Sequence, residues 1–188
     1  MLFDTSAEQD FKDATRYIGY LDQGGLGLPD RDYYLKDDEK SKQLRETYLA
    51  HVERMLALSG FKPAGAKQAA GAVMKVETEL AKFSKTRVER RDPKGLYNKI
   101  DREGIERTVP RLDWKRYFEG LGHSQIEDIN VTSVKFFEGL NELLGTVKPA
   151  EWQSYFVWHI VRATAPALLK AFVDESFRME QALIGQKE

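Results

Sequence analysis

The 188-residue sequence contains no cysteine, and this absence excludes both disulfide bonds and thiolate catalysis. An oxidising compartment permits disulfides without requiring them, so the absence does not fix the location of the protein. Long apolar runs are also missing. No stretch approaches the roughly 20 apolar residues of a transmembrane helix, and the first residues lack the basic and apolar regions of a signal peptide. The sequence therefore shows neither a predicted span nor a predicted export signal.

An excess of one charge is missing as well, since 29 basic residues face 30 acidic ones and no block of one sign stands out. A nucleic-acid groove or a polybasic membrane patch needs clustered lysine and arginine, so nucleic acid is not an expected partner. Material for a core is abundant. Hydrophobic residues make up 41% of the chain and aromatic residues 11%, which is enough for one domain of this length.

Helical periodicity dominates the chain after the first loop, whereas the stretch up to about residue 22 shows only a weak pattern. The predicted helices are 37–59, 63–87, 96–100, 102–108, 112–121, 132–144 and a run from Pro149 that Pro166 interrupts. The sequence thus predicts a mainly α fold, an irregular multi-helix bundle that forms one domain over residues 1–188. It leaves open a short β-hairpin near the N-terminus.

The familiar catalytic motifs are absent from these residues. A zinc peptidase helix needs HExxH, because two histidines one turn apart reach the same metal and the glutamate between them serves as base. No such motif occurs, and His51, His123 and His159 lie far apart. No Gly-x-Ser-x-Gly turn is present, and the glycines at 24, 25 and 27 lack the lysine of a P-loop and the spacing of a dinucleotide-binding turn. We therefore predict no catalytic and no metal-binding residue in this chain.

The most informative segment is Asp22-Gln-Gly-Gly-Leu-Gly-Leu-Pro-Asp-Arg-Asp-Tyr-Tyr34. Its glycines permit a positive φ or a close approach of the backbone, and Pro29 fixes φ at a turn or at a first helical position. Tyr33 and Tyr34 then supply two aromatic anchors. This order of residues predicts a rigid, packed loop.

Glu77 lies at the edge of the apolar stripe predicted for residues 63–87. A charge in that position needs a partner, and Arg31, Arg90 and Arg91 are the candidates. We favour a buried glutamate–arginine pair that holds the glycine-rich loop on the helices over a catalytic base.

A second stripe joins Trp152, Tyr155, Trp158 and His159 at helical spacing. Such a stripe lines a ligand pocket in some proteins and fills a core in most, so we predict a core and a packed or hydrogen-bonded His159.

Several motifs follow one another in a distinctive order. They are Gly-Leu-Gly-Leu-Pro-Asp-Arg-Asp-Tyr-Tyr34, Glu77-x-x-Leu80-Ala81, Arg90-Arg91-Asp92-Pro93, Leu96-Tyr97-Asn98-Lys99, Asp113-Trp114, Ile129-Asn130-Val131 and Trp152-x-x-Tyr155-x-x-Trp158-His159. This order resembles neprilysin-type zinc metallopeptidases, a family that includes endothelin-converting enzymes and bacterial oligopeptidases. The resemblance begins near residue 10. It departs from the family at Phe177-Arg178-Met179-Glu180, where bacterial relatives more often carry a second aromatic followed by tyrosine.

The resemblance implies that residues 1–188 are a fragment, the interior of the family's N-terminal helical region upstream of the catalytic zinc domain. The parent would be a zinc-dependent metalloendopeptidase for peptides of modest size, in which this fragment forms the helical wall of the substrate chamber. The fragment alone would bind no cofactor and would be inactive. By the same resemblance, a structural role in the loop and its pairing falls to Gly27, Leu28, Pro29, Asp30, Arg31, Asp32, Tyr33, Tyr34, Glu77, Arg90, Arg91, Asp92, Tyr97 and Asn98.

On this interpretation the partners are the catalytic domain of the parent protein and, in the full enzyme, peptide substrates. An apolar docking face left exposed on the isolated chain would also permit self-association. The family resemblance implies a bacterial envelope or extracellular location. The alternative is a stand-alone helical interaction or scaffold module without catalytic activity, which a fully polar surface would favour.

Overall fold

The computed structural model describes residues 2–184 and is mainly α-helical, as the sequence predicts. The helices are α1 (Asp32–Leu35), α2 (Glu39–Leu58), α3 (Pro63–Phe83), α4 (Arg102–Thr108), α5 (Trp114–Gly120), α6 (Val134–Thr146), α7 (Pro149–Thr164) and α8 (Lys170–Ile184). The strands are β1 (Phe3–Asp10), β2 (Asp13–Gln23), β3 (Lys99–Asp101) and β4 (Asp128–Val131). Short 3₁₀ helices occupy Glu89–Arg91 and Ala165–Ala167.

The N-terminal strands form more than a short hairpin. β1 pairs antiparallel with β2, β2 runs parallel to β4, and β3 is antiparallel to β4, which gives the sheet order β1-β2-β4-β3. The weak pattern in the sequence has a physical reason. β1 exposes every residue between its two buried ends, and β2 exposes its first five residues, so neither strand alternates between buried and exposed positions.

Residues 96–100 were predicted to be helical, but they form a turn followed by the start of β3. Amide side chains explain the difference. The backbone N–H of Asn98 donates to Oδ1 of Asn130 at 2.7 Å, and Nδ2 of Asn130 donates to the carbonyl of Leu96 at 2.9 Å. Nδ2 of Asn98 also donates to the carbonyl of Val131 at 2.9 Å. These bonds hold the backbone of residues 96–98 beside β4 and use groups that a helix over 96–100 would need for its own hydrogen bonds.

Pro166 interrupts the last helical run, as predicted. α7 ends at Thr164, a 3₁₀ turn contains the proline, and the chain bends by 105° before α8. The proline ring supplies no N–H donor, so the helix cannot continue through it undisturbed. Within residues 2–184, no single helix is long and apolar enough to cross a membrane, and only this bent pair satisfies both conditions together.

The described chain divides into two compact units that alternate along the sequence. The first, residues 2–26 and 82–146, contains the sheet and helices α4 to α6. Its core is rich in aromatic side chains, and the rings of Phe3 and Trp114 lie 5.8 Å apart. The buried aromatic residues of this unit are Phe3, Tyr20, Trp114, Phe118, Phe136 and Phe137.

The second unit, residues 27–81 and 147–184, contains α1, α2, α3, α7 and α8. Asp38 caps α2 by accepting a hydrogen bond from the N–H of Ser41 at 3.0 Å. Gly60 follows that helix with a φ of 101°, a conformation suited to glycine. The core of the unit consists of side chains that are at most 2% exposed, among them Tyr48, Met55, Val73, Leu80, Tyr155 and Trp158.

Candidate functional site at Glu77 and the glycine-rich loop

The end of the glycine-rich loop is fastened to the hydroxyl group of Tyr34. This oxygen accepts hydrogen bonds from the backbone N–H of Gly27 at 3.0 Å and of Leu28 at 2.7 Å. Gly27 also lies against a second tyrosine, since a Cβ at that position would be 1.7 Å from the hydroxyl oxygen of Tyr48. The close approach, and not a positive φ, therefore requires glycine here.

The short helix α1 that carries Tyr34 is fixed at both ends. Before it, Oδ1 of Asp30 accepts a hydrogen bond from the N–H of Asp32 at 2.8 Å. After it, Nη1 of Arg45 donates to the carbonyls of Tyr33 at 2.9 Å and Lys36 at 2.8 Å. Because the last carbonyls of a helix lack partners within it, this guanidinium stabilises the end of α1.

Glu77 lies at the centre of the cluster and is 0% exposed. Its Oε2 accepts a hydrogen bond from the hydroxyl of Tyr34 at 2.7 Å, and its Oε1 accepts one from the hydroxyl of Tyr48 at 3.0 Å. Nε2 of His159 lies 3.0 Å from the same Oε1, which suits the tautomer that carries its proton on Nε2. The indole Nε1 of Trp158 donates to the hydroxyl of Tyr48 at 2.9 Å. We call these five side chains the Glu77 cluster.

Burial and the nearby charge of Glu77 raise the pKa of both tyrosines well above the ordinary value of 10.0. Both effects disfavour the phenolate, so each hydroxyl keeps its proton at neutral pH. Tyr34 and Tyr48 therefore act as permanent donors to the carboxylate, and Tyr34 can accept from the loop at the same time.

This geometry favours a structural role for Glu77 over that of a catalytic base. A general base has to come within hydrogen-bond reach of a substrate proton, whereas the carboxylate of Glu77 is fully buried and both its oxygens already accept hydrogen bonds. The cluster joins the loop to α2, α3 and α7 within the second unit.

The partners of Glu77 differ from the arginine expected from the sequence. Among the described residues, no hydrogen bond or ion pair joins its carboxylate to Arg31, Arg90 or Arg91, and Arg90 instead pairs with Asp22 at 2.8 Å in the first unit. Tyrosine hydroxyls satisfy the hydrogen bonds of a buried carboxylate without the cost of burying a second ion. This explains why tyrosines, and not an arginine, are the partners of Glu77.

The remaining predicted residues lie in the first unit. Oδ1 of Asp92 accepts a hydrogen bond from the N–H of Lys94 at 3.0 Å, and the hydroxyl of Tyr97 donates to Oδ1 of the buried Asp10 at 2.8 Å. Arg91 is exposed, and Asn98 belongs to the amide network beside β4. The predicted set thus separates into the loop with Glu77 and the segment from Arg90 to Asn98.

Tyr48 and Trp158 belong to the cluster but were not predicted as members of it. A usable signal existed, because tyrosine and tryptophan at core positions of a helix usually need a hydrogen-bond partner for their polar atom. The stripe on α7 is core, as predicted: Trp152 is 9% exposed, and Tyr155 and Trp158 are 0% exposed. His159 is hydrogen-bonded, also as predicted.

The described residues do not fit a zinc site. His159 bonds Glu77, Nδ1 of His51 lies 2.9 Å from Oε1 of Glu175, and His123 is exposed in the other unit. Within residues 2–184, no group of three or more histidine, cysteine, aspartate or glutamate side chains is placed to hold a metal ion.

The described residues form eight helices and a four-stranded sheet, and in the second unit a buried glutamate held by tyrosine hydroxyls fixes the end of the glycine-rich loop. The chain belongs to peptidase family M13, whose family model matches residues 1–188. This confirms the resemblance to neprilysin-type zinc metallopeptidases.

Curated relatives include an endothelin-converting enzyme homolog from Locusta migratoria, 29% identical over 99% of this chain and 27% of the relative. The human endothelin-converting enzyme-like 1 is 26% identical over 98% of the chain and 24% of its own length. The chain therefore spans about a quarter of the length of these relatives.

Solved structures of peptidases also match this chain. The zinc metalloprotease Zmp1 of Mycobacterium tuberculosis in its open state matches with a TM-score of 0.93 and 28% identity, over 100% of this chain and 29% of that one. PepO from Lactobacillus rhamnosis matches with a TM-score of 0.88 at 19% identity, over 100% of this chain and 30% of that one, a likeness of fold alone. The chain resembles the N-terminal region of M13 peptidases, and the stand-alone module is not favoured.

Proposed function

We propose that residues 1–188 form part of the helical wall of the substrate chamber in a zinc-dependent metalloendopeptidase that cleaves peptides of modest size. The zinc and the catalytic residues are held by another part of the polypeptide, and this chain alone is inactive and binds no cofactor. The family match along the whole chain supports the assignment, and so does the relatives' fourfold greater length.

One observation carries this proposal. The second unit exposes an apolar stripe on α8, formed by Leu169 just before the helix and by Val173 and Phe177 within it, which are 77%, 41% and 58% exposed. Their spacing of four places them on one helix face. On α7, Phe156 and Ile160 are 43% and 63% exposed at the same spacing. Contiguous exposed apolar residues mark a contact surface, whereas a self-sufficient module would present polar residues here.

The proposed occupant of this apolar stripe is the catalytic domain of the same enzyme. The isolated chain should then self-associate through the stripe at high concentration, because no domain covers it. Leu169→Glu with Phe177→Glu should reduce the weight-average mass in light scattering to that of a monomer. Exchanging the exposed Lys67 and Lys115 for glutamate should leave the association unchanged. A wild-type chain that stays monomeric at millimolar concentration would contradict this part of the proposal.

We also propose that residues 1–188 form a single domain and that the loop residues, Glu77 and the segment from Arg90 to Asn98 maintain its shape. The chain passes between the two units after residues 26, 81 and 146, so neither unit is a continuous stretch of sequence. Calorimetry should show one unfolding transition with equal calorimetric and van't Hoff enthalpies. Two resolved transitions would argue for two domains.

The experiment that tests the assignment is to read the coding frame beyond Glu188. We expect an HExxH motif and a downstream acidic ligand within the next few hundred residues, since zinc peptidases use that set. An in-frame stop codon directly after Glu188 would leave a helical module whose function lies in binding.

A further inference from the structure

A groove of about 860 Å³ lies in the first unit, between the β1–β2 hairpin and the segment from Tyr117 to Asp128. Ala7 and Gly19, two of the smallest residues, are directly opposite each other in the β1–β2 register. Ile126 packs against Gly19, since a Cβ there would be 2.3 Å from its Cδ1, so it is the small side chain of Ala7 that leaves space. Thr5, two residues from Ala7, contacts the hydroxyl of Tyr117 at 2.5 Å, so the small pair lies on the face of the hairpin that α5 approaches. The volume is typical of a ligand-binding cleft.

The backbone of an edge strand borders this groove. β1 pairs only with β2 among the described strands and forms one edge of the sheet. Four consecutive residues of β1, from Asp4 to Ala7, line the groove, so both faces of the strand contribute. An edge strand of eight residues presents unpaired N–H and C=O groups, which are a template for an added strand. This feature favours an extended peptide over a compact small molecule.

The side chains around the groove are apolar and acidic. Tyr17 and Leu121 line it with exposed fractions of 71% and 43%. Arg16 is the one lysine or arginine among the described lining residues, and it pairs at 2.8 Å with Asp128, which also pairs with Lys99 at 3.1 Å. Asp4 and Glu127 remain, and neither makes an ion pair with another described residue. The surplus of carboxylate is complementary to a positively charged ligand.

We propose that this groove binds an extended peptide that combines apolar and basic side chains and adds to the sheet along β1. Its main chain pairs with β1, its apolar side chains cover Tyr17 and Leu121, and its cations lie near Asp4 and Glu127. This inference does not depend on the proposed function, because it concerns binding by the 188-residue chain and needs no peptidase activity.

The test is fluorescence anisotropy with a fluorescein-labelled hexapeptide of alternating arginine and phenylalanine, titrated with the chain. Saturable binding is expected. A peptide with glutamate in place of arginine should not bind, and methylation of alternate backbone nitrogens of the basic peptide should abolish binding by removing its strand N–H donors. Added salt should weaken binding, since the contacts with Asp4 and Glu127 are exposed to solvent.

Two sets of variants locate the binding. Asp4→Asn with Glu127→Gln should weaken binding about tenfold through the loss of two exposed charge contacts. The matched control is Glu8→Gln with Glu119→Gln, which removes two exposed carboxylates of β1 and α5 that do not line the groove and should change the affinity less than twofold.

Filling the groove gives an independent test. Ala7→Trp should abolish binding while the circular dichroism spectrum stays unchanged. If that variant fails to fold, the charge variants still decide, because they remove no buried group. The proposal is overturned if the basic peptide shows no saturable binding, if the acidic peptide binds equally well, or if the two charge-pair variants weaken binding equally.

Discussion

Tyr34→Phe removes one oxygen atom from the Glu77 cluster and leaves the aromatic ring in place. That oxygen donates to Glu77 at 2.7 Å and accepts from the backbone of Gly27 and Leu28. The variant therefore deprives a buried carboxylate of a donor and leaves two buried loop amides without their acceptor. If the cluster fastens the loop, the loss of this single atom should lower the free energy of unfolding by several kcal/mol.

The expected cost follows from the three bonds. A hydrogen bond to a charged group contributes about 1.5–3 kcal/mol, and each buried N–H left unpaired costs about 1–3 kcal/mol. The terms are not additive, because the loop can relax, so we expect a loss of about 3–5 kcal/mol in the free energy of unfolding. With a slope of about 2–3 kcal/mol per molar urea, the midpoint of unfolding should fall by about 1–2.5 M at constant slope.

The neighbouring residue supplies the matched control. Tyr33 is half-buried, and its hydroxyl makes no hydrogen bond with another described residue. Tyr33→Phe should therefore change the free energy of unfolding by less than about 0.5 kcal/mol. Equal urea midpoints for Tyr34→Phe and Tyr33→Phe would refute the account of the cluster as the fastening of the loop.

Two further predictions concern the second unit, and each has a control variant. Gly27→Ala should destabilise the chain by about 1–3 kcal/mol in urea unfolding, because its Cβ would overlap the buried hydroxyl of Tyr48. Gly71→Ala, whose Cβ meets open space on α3, should stabilise the chain by about 0.5–1 kcal/mol. Equal effects of the two substitutions would contradict the packing argument. Burial lowers the pKa of His51 below its ordinary 6.5, so the folded state binds fewer protons than the unfolded chain. The contribution of His51 to stability is therefore fully present above pH 6.5 and is lost as the pH falls through the lowered pKa. His51→Gln should flatten the fall in the urea midpoint between about pH 7 and pH 5, and the exposed His123→Gln should not; parallel curves for wild type and His51→Gln would rule this out.

The longer helices were predictable because their apolar spacing is regular, although α3 ends at Phe83 and not at residue 87 as predicted. α2 begins at Glu39 with a capping aspartate and ends before Gly60, and those signals stand in the sequence itself. The strands were only weakly predictable, since β1 and the first half of β2 are exposed on both faces and carry no alternating pattern. Residues 96–98 could not be assigned locally, because a side chain 32 residues away, that of Asn130, fixes their backbone.

The cluster was predictable in part. The loop and Glu77 stand out in the sequence as a glycine-rich segment and a charge on an apolar stripe. Their connection through Tyr34 was not predictable, because nothing in the sequence shows that one hydroxyl bonds both the loop backbone and the carboxylate. An arginine partner was expected because Glu77 carries a formal charge. Two neutral donors were overlooked, Tyr34 in the predicted loop and Tyr48 in the predicted helix 37–59.

We propose that this chain is a non-catalytic wall region of a zinc peptidase. The most direct measurement is cleavage of an internally quenched peptide by the purified 188-residue chain with added zinc, beside the polypeptide expressed from the full coding frame. We expect no cleavage by the chain alone and chelator-sensitive cleavage by the longer polypeptide. Zinc-dependent cleavage by the chain alone, or a longer polypeptide without activity, would contradict it.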